Sequence, residues 1–102
     1  MKEEPFGPLV PILSFNSLDE VIERANNHDL GLCSYVCTNS MEKAYLTSEQ
    51  LETGSVAVNT GFVAIAEAPF GGIKQSGYGR EGGSMAIKDY LNVKYTHMGI
   101  KG

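Results

Sequence analysis

The sequence predicts an α/β chain: a β-α-β-α-β unit with parallel strands, then a C-terminal helix and one last strand. Three observations carry this. Short apolar runs rich in strand formers alternate with stretches of helical period. Both helical stretches open on a side-chain cap pattern, Ser17 with Glu20 and Asn39 with Glu42. Glycines or polar residues punctuate each passage from helix to strand, which is the rhythm of crossover units and a parallel sheet.

The first strand is expected in "LVPILSF", Leu9 to Phe15, with Pro11 arguing for an edge position or a bulge. The first helix follows, with Leu18, Val21, Ile22 and Ala25 at i, i+3, i+4 and i+7, and ends near Asn26–Asn27. "CSYVCT", Cys33 to Thr38, reads as the second strand. The second helix has Met41, Ala44 and Tyr45 on one face and Gly54 as its terminator. "SVAVN", Ser55 to Asn59, is the third strand, and in a parallel unit ligands gather beyond its carboxyl end. Residues 60–83 are a long glycine-bearing connection, of the kind that is functional or disordered. A short helix capped by Ser84 and carrying Ala86, Ile87, Tyr90 and Leu91 comes next. "NVKYTHM" then places Val93, Tyr95 and His97 on one face of a terminal strand.

With 102 residues the chain is at most one modest domain. Its net charge is −4 and its basic residues are scattered, so nucleic acid is excluded as a partner for want of a cationic stripe. No apolar run approaches the roughly 20 residues that cross a bilayer, and "MKEEPFGP" does not read as a signal peptide. A cytoplasmic setting is expected, with Cys33 and Cys37 as small buried hydrophobes. On a strand they lie roughly 13 Å apart, beyond the span of about 4.4–6.8 Å that a disulfide bridges. His28 reads as a solvated helix-end residue and His97 as a strand surface residue, neither joined to a metal-ligand cluster. Glu67 reads as a solvated loop carboxylate, with a pocket role as the alternative.

"GYGREG", Gly77 to Gly82, spells G-x-G-x-x-G, the letters of a dinucleotide-binding loop. That fingerprint must follow a strand, open a helix and precede an acidic residue by about 20 positions. Here "FGGIKQS" precedes it, and the chain ends about where the acidic residue belongs. The loop is a glycine-rich connector.

Two further stretches, "EEPFGP" (Glu3 to Pro8) and "PFGGIKQSGYGRE" (Pro69 to Glu81), together with "ANNHDLGL" and "SVAVN" between them, resemble the C-terminal part of an aldehyde dehydrogenase. The likeness covers essentially the whole chain. Within that family, "VNTG", "KQSGYGREG" and "IKDYLNVKY" are similar to succinate-semialdehyde dehydrogenases. The resemblance implies oxidation of an aldehyde to an acid with NAD or NADP. It makes Glu4 the carboxylate on the two nicotinamide-ribose hydroxyls and Phe6 the aromatic beside the nicotinamide. Phe70 would line the substrate tunnel, as would Ala64, six residues before it. Ala64 departs from the serine typical of the succinate-semialdehyde enzymes and offers no hydrogen bond, which leaves the substrate open. For Phe6 and Phe70 simple packing roles are the alternatives. Gly71 and Gly72 are expected to supply backbone conformations, and Lys74 and Arg80 to anchor the loop by salt bridges.

The family's nucleophilic cysteine, its glutamate base and its Rossmann domain correspond to segments outside these residues, and neither Cys33 nor Cys37 matches the nucleophile motif. The resemblance therefore implies a fragment, inactive alone, in which residues 1–90 belong to the catalytic domain and 91–102 to an oligomerisation strand. An aldehyde is the implied substrate and a homo-oligomer the implied assembly. The rival reading is a non-catalytic, self-associating scaffold, because a piece of a domain leaves apolar surface uncovered.

Overall fold

A computed structural model describes residues 5–102. In order, it contains α1 (Leu18–Asn26), β1 (Leu30–Gly31), β2 (Cys33–Val36), α2 (Met41–Gln50), β3 (Ser55–Val58), β4 (Ile73–Lys74) and a 3-10 helix (Ala86–Tyr90). The mixed α/β character holds. Strands β2 and β3 pair in parallel, from Cys33 opposite Ser55 to Val36 opposite Val58, with α2 as the crossover. This is one β-α-β unit. The strand expected over Leu9 to Phe15 does not form: the segment is exposed and unpaired among the described residues. A strand needs a neighbour for its N–H and C=O groups, and here only the Phe15 end comes against the α1–α2 cleft.

Helix α1 starts as expected. Ser17 Oγ accepts the Glu20 N–H at 3.2 Å. Glu20 Oε2 reaches back past the cap to accept the Asn16 N–H at 2.8 Å. That backbone donor is the main reason the Glu20 carboxyl sits below its ordinary value, with the Arg24 guanidinium, 2.7 Å from its other oxygen, a smaller one. Arg24 also donates to the Ser14 carbonyl at 3.0 Å, tying the extended lead-in to the helix.

Helix α2 is capped one residue later than expected, by Ser40 and not by Asn39. Ser40 is extended, and its Oγ accepts the Lys43 N–H at 3.2 Å. The helix stops at Gln50, ahead of Gly54. Its buried face is also different: Ala44 and Thr47 are buried, with Ser48 and Leu51 half-buried, while Met41 and Tyr45 point outward. The inward stripe is thus small and partly polar. Ser48 satisfies its hydroxyl on the Ala44 carbonyl at 2.7 Å, whereas the Thr47 hydroxyl is buried without a partner.

Gly54 serves close approach instead of helix termination. A Cβ there would lie 1.7 Å from the Gly71 carbonyl oxygen, so the glycine-rich connection can rest on the start of β3 only because Gly54 lacks a side chain. At the far end of the pair, Asn59 adopts a positive φ of 54°. Its amide brackets Thr38, donating to the carbonyl at 2.8 Å and accepting the N–H at 2.9 Å. The side chain continues the ladder where the backbone turns away, so Asn59 closes the sheet.

Residues 60–83 are not structureless. Within them β4 pairs antiparallel with β1, Leu30 opposite Lys74 and Gly31 opposite Ile73. Three groups fasten this pairing. Lys74 Nζ donates to the carbonyls of Asn26 (2.9 Å) and His28 (3.0 Å) and meets Glu52 at 2.6 Å. Asn26 donates to the Gln50 carbonyl at 2.7 Å and accepts the Glu52 N–H at 2.8 Å. The C-terminal ends of α1 and α2 and the glycine-rich strand therefore share one polar knot, with a cation placed at the negative end of a helix.

The hydrophobic core is small: among the described residues Ile22, Ala44 and Ala57 are its buried members. The C-terminal helix is a 3-10 turn with Met85, not Ser84, at its cap position and no side-chain cap bond. Residues 91–102 carry no regular structure and are exposed throughout. The Cα radius of gyration is 19.2 Å, against about 13 Å for a compact domain of this length.

Replacing Lys74 by Met should lower stability by about 1 kcal/mol, since it removes two hydrogen bonds to carbonyls and the cation paired with the exposed Glu52 carboxylate; an unchanged urea midpoint would show that the knot contributes nothing. Thr47→Val should raise stability by about 1 kcal/mol by removing an unpaired buried hydroxyl, read as a higher urea midpoint. The Glu20 contribution has the sign of a lowered carboxylate. It is present above the unfolded glutamate value of about 4.3 and is lost as pH falls through the lower folded value. Amide exchange in the first turn of α1 should therefore accelerate in acid, and Glu20→Gln should remove that step.

Candidate functional site

The stretch singled out in the sequence, Pro69 to Glu81, forms a strap closed at its base by a two-residue bridge. The Phe70 N–H donates to the Glu81 carbonyl, and the Glu81 N–H to the Phe70 carbonyl, both at 2.7 Å. The strap turns at Gly77 and Gly79, whose φ values of 122° and 76° exclude ordinary side chains. Between them Tyr78 projects fully into solvent. Lys74 and Ser76 hold the strap's inner edge to the body: Lys74 through the knot described above, and Ser76 by accepting the Gly31 N–H at 2.9 Å.

Arg80 anchors the outer edge, through carbonyls instead of the expected salt bridge. Its guanidinium donates to the Gly72 carbonyl at 2.9 Å and the Gly79 carbonyl at 2.7 Å, while its own N–H donates to Asp89 Oδ2 at 2.9 Å. Asp89 sits so close that a Cβ on Gly79 would come 2.5 Å from its carboxylate. The sequence reading missed Asp89, and no spacing rule marks it: it reaches the strap from the 3-10 helix. It also missed Asn26 and Glu52. The one signal for these was a polar residue at each helix end, a place where amides and carboxylates often satisfy backbone groups.

The strap does not fit a pyrophosphate. No α-helix opens behind "GYGREG", since the next element is the 3-10 helix from Ala86, and the Arg80 N–H is already committed to a carboxylate. Among the described residues no group of three or more His, Cys, Asp or Glu gathers to hold a metal ion, and no helix is long and apolar enough to cross a membrane.

Of the four expected site residues, Phe70 is half-buried and lines a cleft of about 350 Å³ with Leu32, Tyr78, Arg80, Asp89 and Tyr90. Ala64 is exposed in the loop beyond β3, and neither it nor Phe6 lines that cleft. Phe6 is 94% exposed in the extended lead-in. Glu4 lies outside the described residues. Glu67 is exposed, and its carbonyl packs over Gly83, where a Cβ would come within 3.1 Å. Gly82, at φ 70°, lies under the Ala68 carbonyl in the same way, 2.7 Å from where a Cβ would be. Two glycines in left-handed conformation thus hold the loop that carries Phe70 against the strap's exit.

The cysteines are both free, as expected, but only Cys33 is half-buried; Cys37 is exposed because it lies past the end of β2. The Cys33 thiol lies 3.8 Å from the Tyr35 hydroxyl, and this hydrogen bond, with charge coupling to Cys33, raises the phenol above its ordinary value. His97, exposed in the tail, lies 3.3 Å through Nδ1 from the hydroxyl of Tyr95.

Comparison with known proteins agrees with this arrangement. The sequence pattern described as the aldehyde dehydrogenase family matches residues 1–96. A 3-sulfolactaldehyde dehydrogenase from Pseudomonas putida is 50% identical over 95% of this chain, which covers 20% of that protein. An NADP(+) succinate-semialdehyde dehydrogenase from Saccharomyces cerevisiae is 47% identical over 96% of the chain and again 20% of the relative. Among solved structures, the NAD+ complex of an aldehyde dehydrogenase from Bacillus cereus superposes with a TM-score of 0.91 at 47% identity, over 98% of this chain and 20% of that one. An E. coli NADP-dependent enzyme gives 0.90 at 44% identity, over 97% and 21%. This chain, spanning about a fifth of the length of those relatives, belongs to the aldehyde dehydrogenase family.

Proposed function

We propose that these residues are the C-terminal part of the catalytic domain of an NAD(P)-dependent aldehyde dehydrogenase, which oxidises an aldehyde to a carboxylic acid. The observation that carries this reading is the near-complete superposition on the NAD+-bound Bacillus cereus enzyme at 47% identity. Residues 1–90 belong to the catalytic domain and 91–102 to an oligomerisation strand that joins a second subunit in a homo-oligomer. The chain supplies one end of a cofactor site and part of a substrate wall. Glu4 accepts hydrogen bonds from the two hydroxyls of the nicotinamide ribose, as a carboxylate with two oxygens suits a vicinal diol. The exposed ring of Phe6 packs beside the nicotinamide. Phe70 and Ala64 line the aldehyde tunnel, with Phe70 held by the strap's base.

The cofactor when bound accepts the hydride; the residues of this chain bind and orient. Relatives named for 3-sulfolactaldehyde and succinate semialdehyde support an aldehyde with an acidic far end. Ala64 gives such a group no hydrogen bond, so its partners lie on other segments of the enzyme. Alone, the chain is inactive.

A second reading, a self-associating scaffold without catalysis, is favoured by the exposed tail, in which Val93 is fully exposed and Tyr95 nearly so. Aldehyde oxidation distinguishes the two. Combined with the preceding four-fifths of the Pseudomonas putida relative, the chain should restore aldehyde-dependent formation of reduced cofactor, which neither piece gives alone. Glu4→Ala should then raise the cofactor KM roughly ten- to a hundred-fold, the loss of charge-assisted hydrogen bonds, and leave the aldehyde KM nearly unchanged. A soluble complex without activity would favour the scaffold.

A further inference from the structure

The hydrogen bonds that shape the strap differ in what they fasten it to. Both acceptors of the Arg80 guanidinium, the carbonyls of Gly72 and Gly79, belong to the strap, so these bonds close it on itself. Lys74 and Ser76 tie its inner edge to the end of α1 and to β1. On the outer edge the tie to another element is Asp89 of the 3-10 helix, whose Oδ2 accepts the Arg80 N–H at 2.9 Å. That amide is one residue from Glu81, the partner of Phe70 in the bridge at the strap's base. On the loop side of the bridge, the Gly83 N–H donates to the Ala66 carbonyl at 2.9 Å. On the strap side, the bond to Asp89 is the corresponding hold. Gly79 permits it: at a φ of 76° it has no Cβ, and one there would come 2.5 Å from Asp89 Oδ2. The same short helix brings Tyr90 into the cleft that Phe70 lines.

We infer that Asp89 is a positioning residue for aldehyde recognition: by holding the Arg80 N–H it keeps Glu81 in register with Phe70, and so fixes where the Phe70 ring stands. This role rests on the reading of Phe70 as part of the aldehyde tunnel, whereas the contact stands on geometry alone. What Asp89 supplies is an acceptor oxygen in the right place, not its charge. The Arg80 guanidinium donates to two carbonyls, and among the described residues no ion pair joins it to Asp89. An asparagine side-chain oxygen can accept the same N–H, and an alanine cannot. Without the acceptor the Arg80 N–H turns to water, the bridge opens more often and Phe70 takes up more positions. An aldehyde must then order that wall as it binds, and the cost is read as a higher aldehyde KM. The cofactor contacts assigned to Glu4 and Phe6 lie on a different segment and are not drawn into this.

Two measurements test this, one on the contact and one on its role. In the 102-residue chain, Asp89→Ala should speed amide exchange at Phe70, Arg80 and Glu81, corrected for intrinsic rate, roughly five-fold, the equivalent of one ordinary hydrogen bond. Asp89→Asn should match the wild type, and the Ala57 amide in β3 should not respond to either change. Unchanged exchange in Asp89→Ala, an equal gain in Asp89→Asn, or acceleration that spreads to Ala57 would each overturn the contact as drawn. In the complemented enzyme described above, Asp89→Ala should raise the aldehyde KM roughly five-fold, for acidic and neutral aldehydes alike. The cofactor KM should stay as it was, and Asp89→Asn should restore the aldehyde KM. An effect confined to acidic aldehydes and shared by Asp89→Asn would make Asp89 a charge facing the substrate, and would overturn the positioning role. A wild-type complement without activity would overturn the catalytic reading, and with it a role at an aldehyde wall, while exchange still decides the contact.

Discussion

The ammonium of Lys74 meets three oxygens from two helix ends, and most of the tertiary structure depends on that meeting. The residue sits at a φ of 54°, a left-handed conformation that costs a non-glycine residue about 1–3 kcal/mol and persists only where its surroundings over-determine it. Here the determination is plain. Lys74 Nζ reaches the carbonyls of Asn26 and His28 just where α1 ends, it pairs with Glu52 past the end of α2, and Asn26 pins the two helix ends together. Once Lys74 is fixed, β4 lies beside β1, and the glycine strap follows.

Polar ties carry this load because burial is thin. Ile22, Ala44 and Ala57 are a small hydrophobic core for a chain of this length, and a two-stranded parallel sheet leaves an open edge on each side. The exposed side chains of Leu9 to Phe15 and of the last dozen residues fit the same picture. Relatives about five times as long have more chain with which to cover such faces. The glycines complete the arrangement by distance instead of energy. Gly31, Gly54 and Gly72 sit where a Cβ would overlap a neighbouring backbone or side chain, so strap, helix end and strand start are brought into backbone contact.

Local signals were legible in the sequence and long-range ones were not. Ser17 capped α1 as its spacing implied, the β-branched runs at Cys33 and Ser55 became the parallel pair, and the glycine-rich motif belonged to the family its letters resembled. The α2 cap moved from Asn39 to Ser40, because two adjacent polar residues offer equivalent caps and backbone geometry chooses between them. The inward face of that helix is Ala44 and Thr47, and Thr47 lines the cleft shared with α1. Apolar period could not reveal a contact made by threonine. Leu9 to Phe15 had the composition of a strand but no partner, and composition cannot supply one. The anchoring of Lys74 and Arg80 was legible as a role, while their acceptors, mostly backbone carbonyls, were not.

The sequence by itself determined the start of α1, the parallel β-α-β crossover and membership of the aldehyde dehydrogenase family, because caps, periodicity and a contiguous motif are all local properties of the chain. Only the tertiary structure decided that Phe70 is locked to Glu81, that Asp89 closes the strap and that the His28 ring accepts the Leu30 N–H. Those contacts join residues that local pattern does not relate, through backbone N–H and C=O groups that every residue carries alike. Their pairing is therefore fixed by where the chain can approach itself, and not by which letters it contains.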